Sequence, residues 1–147
     1  MYRNLVACAL ALGLAGCSVG ISGDGSSPHT EFKAAVNYKD AYDAAIRQAN
    51  ACLRSTDNAY RVVPSLDEAS RSGEIRVLAP FADTEMTRVN VKAAGDKSTD
   101  VRIVVWGKGT WDVEALRAMK DAVSYNLVSC SSFMPRDPQP QAPAPKK

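Results

Sequence analysis

Thr87–Trp106 reads TRVNVKAAGDKSTDVRIVVW, a stretch in which apolar residues alternate with polar ones on both sides of a central turn. Alternation with a period of two is typical of β-strands with one buried and one solvated face. Ala94–Lys97 (AGDK) has the composition of a tight turn, so the two halves should pair as an antiparallel hairpin. The stretch therefore predicts an antiparallel sheet that is covered on one face only.

The neighbouring sequence supplies further strands. Gly73–Ala79 alternates in the same way, and the shorter runs Glu31–Val36 and Tyr60–Val63 have strand composition. Pro64 should end the last of these, because proline cannot donate to a sheet ladder. We expect Ser65–Ser72 to form a polar loop before the sheet resumes.

Two segments have the apolar spacing of amphipathic helices. The first has Asn37 as its N-cap and runs to about Arg54, and the second is capped by Asp112 or Thr110 and runs to about Ser129. The apolar stripe of the first helix contains Tyr38, Tyr42, Ala45, Ile46, Ala49, Cys52 and Leu53. The stripe of the second contains Leu116, Met119, Val123, Leu127 and Cys130.

Both helical stripes and one face of the sheet need an apolar partner, and they can supply it to each other. The fold class predicted is α+β, with two layers. A four- or five-stranded antiparallel sheet carries both helices on one face, in the order β-α-β-β-β-β-α.

Cys52 and Cys130 lie near the ends of the two apolar stripes, and they are the cysteines left once Cys8 and Cys17 are set aside. An even pair in an oxidising compartment usually forms a disulfide. We predict a Cys52–Cys130 disulfide that ties the two helices together. A redox-active pair is the alternative, although such pairs usually have an exposed thiol of low pKa and C-x-x-C spacing.

The N-terminus has the composition of a signal peptide. Leu5–Leu14 is an apolar run of about 15 Å as a helix, half of a bilayer core, and it follows a cation at Arg3. The run ends in Leu-Ala-Gly-Cys17, which resembles the lipobox of bacterial lipoproteins. The resemblance implies cleavage after residue 16 and acyl chains such as palmitate on Cys17. An ordinary secretory signal followed by a chance cysteine is the alternative.

The same resemblance implies sorting to the outer membrane, because Ser18 stands where the family's inner-membrane retention signal has aspartate. Residues 17–29 are rich in Gly and Ser and predict a flexible tether with a reach of about 20 Å, in which His29 would be a solvated residue. A single α+β domain should cover residues 30–134. Pro135–Lys147 (PRDPQPQAPAPKK) predicts a disordered proline-rich tail, which is also a candidate for cell-wall contact.

Composition argues against several classes of function. The chain has 147 residues, and its single histidine argues against histidine-based catalysis. Its net charge of +2 is too small for a typical nucleic-acid binder. Gly107–Thr110 (GKGT) lacks the residue order of a phosphate-binding loop. We therefore expect no catalytic residues, no metal site and no cofactor.

Two features are candidates for binding. The turn Trp106–Trp111 (WGKGTW) places Trp106, Lys108 and Trp111 together, and aromatic residues beside a cation are typical interface anchors. Alternatively, these tryptophans seal the edge of the core. The second feature is the solvated sheet face, which carries four cations: Arg76, Arg88, Lys92 and Arg102. It is either a basic patch or an ordinary solvated face that is neutralised by acids such as Glu74.

The lipobox, the strand that leads into a capped helix and the run Thr87–Ser129 resemble small proteobacterial envelope lipoproteins of unknown function. More distantly, the arrangement is similar to the helix-grip domains of lipoprotein subunits in outer-membrane protein assembly. The resemblance implies a lipid-anchored, non-catalytic accessory or interaction subunit that faces the periplasm and binds an envelope protein. The alternative is binding of anionic cell-wall polymer or lipid head groups by the basic face and tail.

Overall fold

The computed structural model describes residues 18–54 and 59–130, which form a five-stranded antiparallel sheet and two helices. The elements are β1 His29–Ala34, α1 Tyr38–Cys52, β2 Arg61–Asp67, β3 Ser72–Leu78, β4 Glu85–Gly95, β5 Ser98–Val105 and α2 Val113–Tyr125. The strand order is β1-β5-β4-β3-β2. The predicted two-layer α+β fold, with both helices on one sheet face, is confirmed.

The alternating residues separate the two faces of the sheet as predicted. Ile75 pairs with Val89, and Val89 pairs with Ile103, so that three apolar side chains from β3, β4 and β5 form a row across the inner face. Each of these side chains is at most 1% exposed. The inner face packs against α1 and α2, and this contact is the hydrophobic core.

Both predicted helix caps are confirmed, but the end of α2 differs from the prediction. The Asn37 side chain accepts a hydrogen bond from the Lys39 backbone N–H at 2.8 Å, and Asp112 caps α2 in the same way. Asn126 adopts a left-handed conformation, with φ of 55°, and ends the helix there rather than near Ser129. Leu127 is consequently 61% exposed instead of buried.

Strand β2 continues through Pro64, where the sequence predicted a break. The strand lies at the edge of the sheet, and a proline is tolerated there because its missing N–H need not pair with a neighbour. The predicted polar loop shrinks to the turn between Asp67 and Ser72. In this turn the Asp67 carboxylate accepts backbone hydrogen bonds from Ala69 and Ser70.

The segment from Gly20 to Pro28 lies against the end of the sheet, which corrects the predicted tether over 17–29. The Ile21 N–H donates to the Glu85 carbonyl at 2.8 Å, and the Pro28 carbonyl accepts from the Val105 N–H at 3.0 Å. His29 opens β1 and is not a linker residue. The segment is held because backbone groups at the ends of β4 and β5 are free to pair with it.

The predicted Cys52–Cys130 disulfide is confirmed, with the two Cα atoms 5.3 Å apart. Beside it, the buried side chain of Gln48 donates to the Ser129 carbonyl at 2.8 Å and accepts from the Ser129 N–H at 3.0 Å. The chain after α2 is therefore fastened to α1 by a covalent bond and a pair of hydrogen bonds.

The predicted signal peptide over 1–16, the lipidated Cys17 and the tail over 135–147 lie outside the described residues. Within the described part of the chain, neither helix has the length and hydropathy needed to cross a membrane.

Candidate functional site

The face of the sheet opposite the helices has no second layer over it in the described ranges 18–54 and 59–130; only the segment from Gly20 to Pro28 borders it at one end. We call it the outer sheet face. Its side chains from the central strands and β1 are His29, Glu31, Lys33, Ser72, Glu74, Arg76, Glu85, Arg88, Asn90, Lys92, Asp100, Arg102 and Val104.

The structure brings all four predicted cations together on the outer sheet face, and of the two alternatives it agrees with the face neutralised by acids rather than with the basic patch. The Arg88 and Arg102 guanidinium groups form ion pairs with Glu85 and Glu31, respectively. Arg76 lies between two carboxylates, with its Nε 3.4 Å from Glu74 and its Nη1 3.6 Å from Glu85. Because each arginine is matched by a carboxylate from the same or a neighbouring strand, the face has alternating charges and little net charge.

Lys92 differs from the arginines. Among the described residues it has no ion pair, and it lies between two shallow hollows of the outer sheet face. The larger hollow, of about 490 Å³, lies over β1, β5 and β4, and the smaller one, of about 320 Å³, lies over β2, β3 and β4. Asn90 also borders both hollows, and its amide donates to Glu74 at 2.9 Å. The two hollows form a trough across the sheet that is centred on Asn90 and Lys92.

The tryptophan turn is divided between core and surface. Trp111 is only 5% exposed, and its ring centroid lies 4.6 Å from that of Tyr60 and 6.5 Å from that of Trp106. The backbone closes the turn, because the Gly107 N–H donates to the Trp111 carbonyl at 2.7 Å. Trp111 therefore seals the core and is not an exposed anchor, whereas Trp106 is half-buried and Lys108 is exposed.

A second group of surface residues lies next to this turn, and the sequence reasoning missed it. Ser18 and Gly20 share a hollow of about 290 Å³ with Trp106 and Lys108. Gly20 has a φ of +100° and lies so close to Thr84, just after the β3–β4 turn, that a Cβ atom would collide. We call the residues 18–20, 80–83 and 106–108 the N-terminal corner. The sequence feature that could have indicated this surface is the apolar run Pro80-Phe81-Ala82, which is unusual for an exposed turn.

Asp24 organises the loop that leads from this corner to β1. Its carboxylate accepts hydrogen bonds from the Ser22 hydroxyl at 2.5 Å and from the Ser26 backbone N–H at 2.9 Å. The Ser22 and Ser26 side chains stabilise the charged carboxylate and lower the pKa of Asp24 from 3.8 to about 2.

We expect Asp24 to titrate near pH 2 when its carboxyl carbon is followed by NMR, and Ser22→Ala to move the midpoint upward. Because the folded pKa lies below the unfolded value of 3.8, the loop's stabilisation is complete above that pH and is lost as the pH falls toward 2. Ser65→Ala, at an exposed serine on β2, is the control and should leave the midpoint unchanged. Equal midpoints in the wild type and Ser22→Ala would contradict the assignment.

Within the described part of the chain, no group of three or more His, Cys, Asp or Glu residues is placed to hold a metal ion. No buried lysine, arginine or carboxylate is found there either. Comparison with known proteins finds no family model and no curated sequence that matches the chain. The function is therefore argued from the outer sheet face and the N-terminal corner.

Proposed function

We propose that the protein is a non-catalytic accessory subunit of the bacterial cell envelope. Acyl chains on Cys17 anchor it to the outer membrane, and its outer sheet face, on the periplasmic side, docks an envelope protein. The observation that carries the proposal is the charge pattern of this uncovered face, on which each arginine is paired with a carboxylate.

The size of the outer sheet face suits a protein partner. Five strands spaced about 4.8 Å apart, each with about seven residues that rise about 3.4 Å, give a surface roughly 24 Å on each side. A standard protein interface buries about 800 Å² on each partner, which is comparable with this surface once the side chains are included. The trough around Asn90 and Lys92 gives the face relief that a complementary surface can fill.

The charge pattern favours a protein over an anionic polymer. A polymer with repeated negative charges gains from net positive potential, but Glu31, Glu74 and Glu85 offset the arginines of this face. A folded partner can instead present a matching alternation of charges, which selects one orientation and penalises wrong partners. Lys92 is the group best placed to pair with such a partner, because no carboxylate in the described residues binds it.

The test is photo-crosslinking in living cells from a probe at Lys92, with a matched probe at Arg117. Arg117 is exposed on α2, in the helical layer behind the sheet. We expect a discrete protein adduct from Lys92 and none from Arg117. Adducts only to cell wall or lipid would favour the polymer-binding function, and equal adducts from both probes would contradict a specific face.

Exchanging the two charges of one ion pair further distinguishes docking of a protein from binding of an anionic polymer. In the double variant Glu31→Arg, Arg102→Glu, the ion pair between β1 and β5 is retained, and so is the net charge of the face. We expect the swap to reduce the protein adduct about tenfold, since one misplaced charge pair at an interface costs at least 1.4 kcal/mol. Binding of an anionic polymer depends on net charge and would be unchanged by the swap.

A further inference from the structure

The described chain begins at one end of the sheet. Ser18 lines the hollow that also contains Trp106 and Lys108, and three residues later Ile21 is hydrogen-bonded to the first residue of β4. Consecutive Cα atoms are 3.8 Å apart, so the Cα of Cys17 lies within that distance of the Cα of Ser18. A lipid attached to Cys17 therefore leaves the protein directly at the N-terminal corner.

The sequence predicted a tether of about 20 Å at this place, which would leave the domain free to turn in any direction. Only Ser18 and Val19 lie between Cys17 and Gly20, which is the first buried residue of the described range 18–54. The three Cα–Cα steps from Cys17 to Gly20 span at most about 11 Å. An anchor this short brings the N-terminal corner to the bilayer surface and keeps it there.

The groups exposed at the N-terminal corner suit a lipid surface. Phe81 is 58% exposed at the tip of the β3–β4 turn, where Ala82 and Asp83 both have positive φ angles, and Val19 is 43% exposed. Lys108 is exposed on the neighbouring turn. The two turns lie at the same end of the sheet. Apolar rings and cations are common at the membrane interface, where the ring enters the head-group region and the cation meets phosphate.

We propose that the N-terminal corner is a membrane-contact surface, on which Phe81 inserts among the lipid head groups and Lys108 lies against their phosphates. The inference rests on the proposed acylation of Cys17. Strands β4 and β5 extend from this corner away from the bilayer. The sheet is then roughly perpendicular to the bilayer plane, and its outer face is open to a partner in the periplasm.

The test uses the full chain, isolated from bacterial membranes and reconstituted in vesicles of phosphatidylethanolamine and phosphatidylglycerol. One variant carries the environment-sensitive dye NBD on Phe81→Cys, and the control carries it on Tyr125→Cys. Tyr125 is more exposed than Phe81, at 76%, and lies at the far end of α2, about 18 Å from where the helix starts. The disulfide occupies Cys52 and Cys130, and acylation blocks Cys17, so in the mature acylated chain the dye reacts only with the introduced cysteine.

We expect the emission of the dye at position 81 to rise severalfold on vesicles and to be quenched by spin-labelled lipid, while the dye at position 125 keeps its value in water. Lys108→Glu should weaken the signal at position 81, whereas Lys97→Glu, in the β4–β5 turn at the opposite end of the sheet, should not.

The results distinguish the proposed acylation of Cys17 from the proposed membrane contact of the N-terminal corner. Mass analysis that finds acyl chains on Cys17, together with equal and water-like emission at both positions, would overturn the membrane contact and leave the anchor intact. Mass analysis that finds an unmodified Cys17 would overturn both. Strong emission at both positions would show general association with lipid and would contradict a defined contact surface.

Discussion

Trp111→Ala is expected to lower the free energy of unfolding by about 3–5 kcal/mol, the range found when a buried tryptophan is truncated to alanine. Trp111 is 5% exposed and packs against Tyr60, Trp106 and the rest of the core. Its removal would open a cavity where the Trp106–Trp111 turn meets the start of α2. Urea denaturation followed by far-ultraviolet circular dichroism measures the effect.

Two further variants test whether the loss of stability comes from the packing of the buried Trp111 ring. Trp111→Phe keeps an aromatic ring and removes a buried Nε1–H that has no acceptor among the described residues, so we expect less than half of the loss. Trp106→Ala should also cost less, because Trp106 is only half-buried. If Trp111→Ala were no more destabilising than Trp106→Ala, the ring would not be sealing the core.

The strands could be predicted because the two faces of the sheet have different environments. Val89, Val91 and Ile103 are buried and their sequence neighbours are solvated, so the alternation appears directly in the sequence. Pro64 misled the prediction, because the sequence does not say that β2 lies at the edge of the sheet. The end of α2 depends on the left-handed conformation of Asn126, which helical periodicity cannot show.

The candidate sites could be predicted only in part. Alternation placed Arg76, Arg88 and Arg102 on one face, but their carboxylate partners depend on strand register, which the sequence pattern does not specify: Glu31 reaches Arg102 across β1 and β5. The hydrogen bond between Ile21 and Glu85 joins backbone atoms, so it does not depend on a residue pattern that the sequence could show. The position of residues 18–20 in the N-terminal corner was therefore not predictable from the sequence, whereas the apolar Pro80-Phe81-Ala82 was visible in it.

Removing the disulfide with Cys52→Ala, Cys130→Ala should produce a loss of stability comparable with that of Trp111→Ala. The bond closes a loop of 78 residues, for which the chain-entropy model gives about 4.5 kcal/mol at most. That is a large share of the 5–15 kcal/mol by which small domains are stable. Chemical denaturation of the wild type with and without reductant, beside the double variant, measures the loss.

A single-cysteine variant decides between the structural and redox functions of this pair. An exchange mechanism requires attack on one of the two sulfurs; Cys52 is fully buried and Cys130 is half-buried, so only the Cys130 sulfur is open to a thiol in the folded state. We expect Cys52→Ala, which keeps the more accessible Cys130, to be as destabilised as the double variant and to form no mixed disulfides with partner proteins in the cell. Gln48→Leu is the control, because it removes the hydrogen bonds to Ser129 and keeps the covalent bond. If reductant left the unfolding free energy of the wild type unchanged, the disulfide would not be what fastens the chain after α2 to α1. If Cys52→Ala trapped partner proteins, the pair would be redox-active.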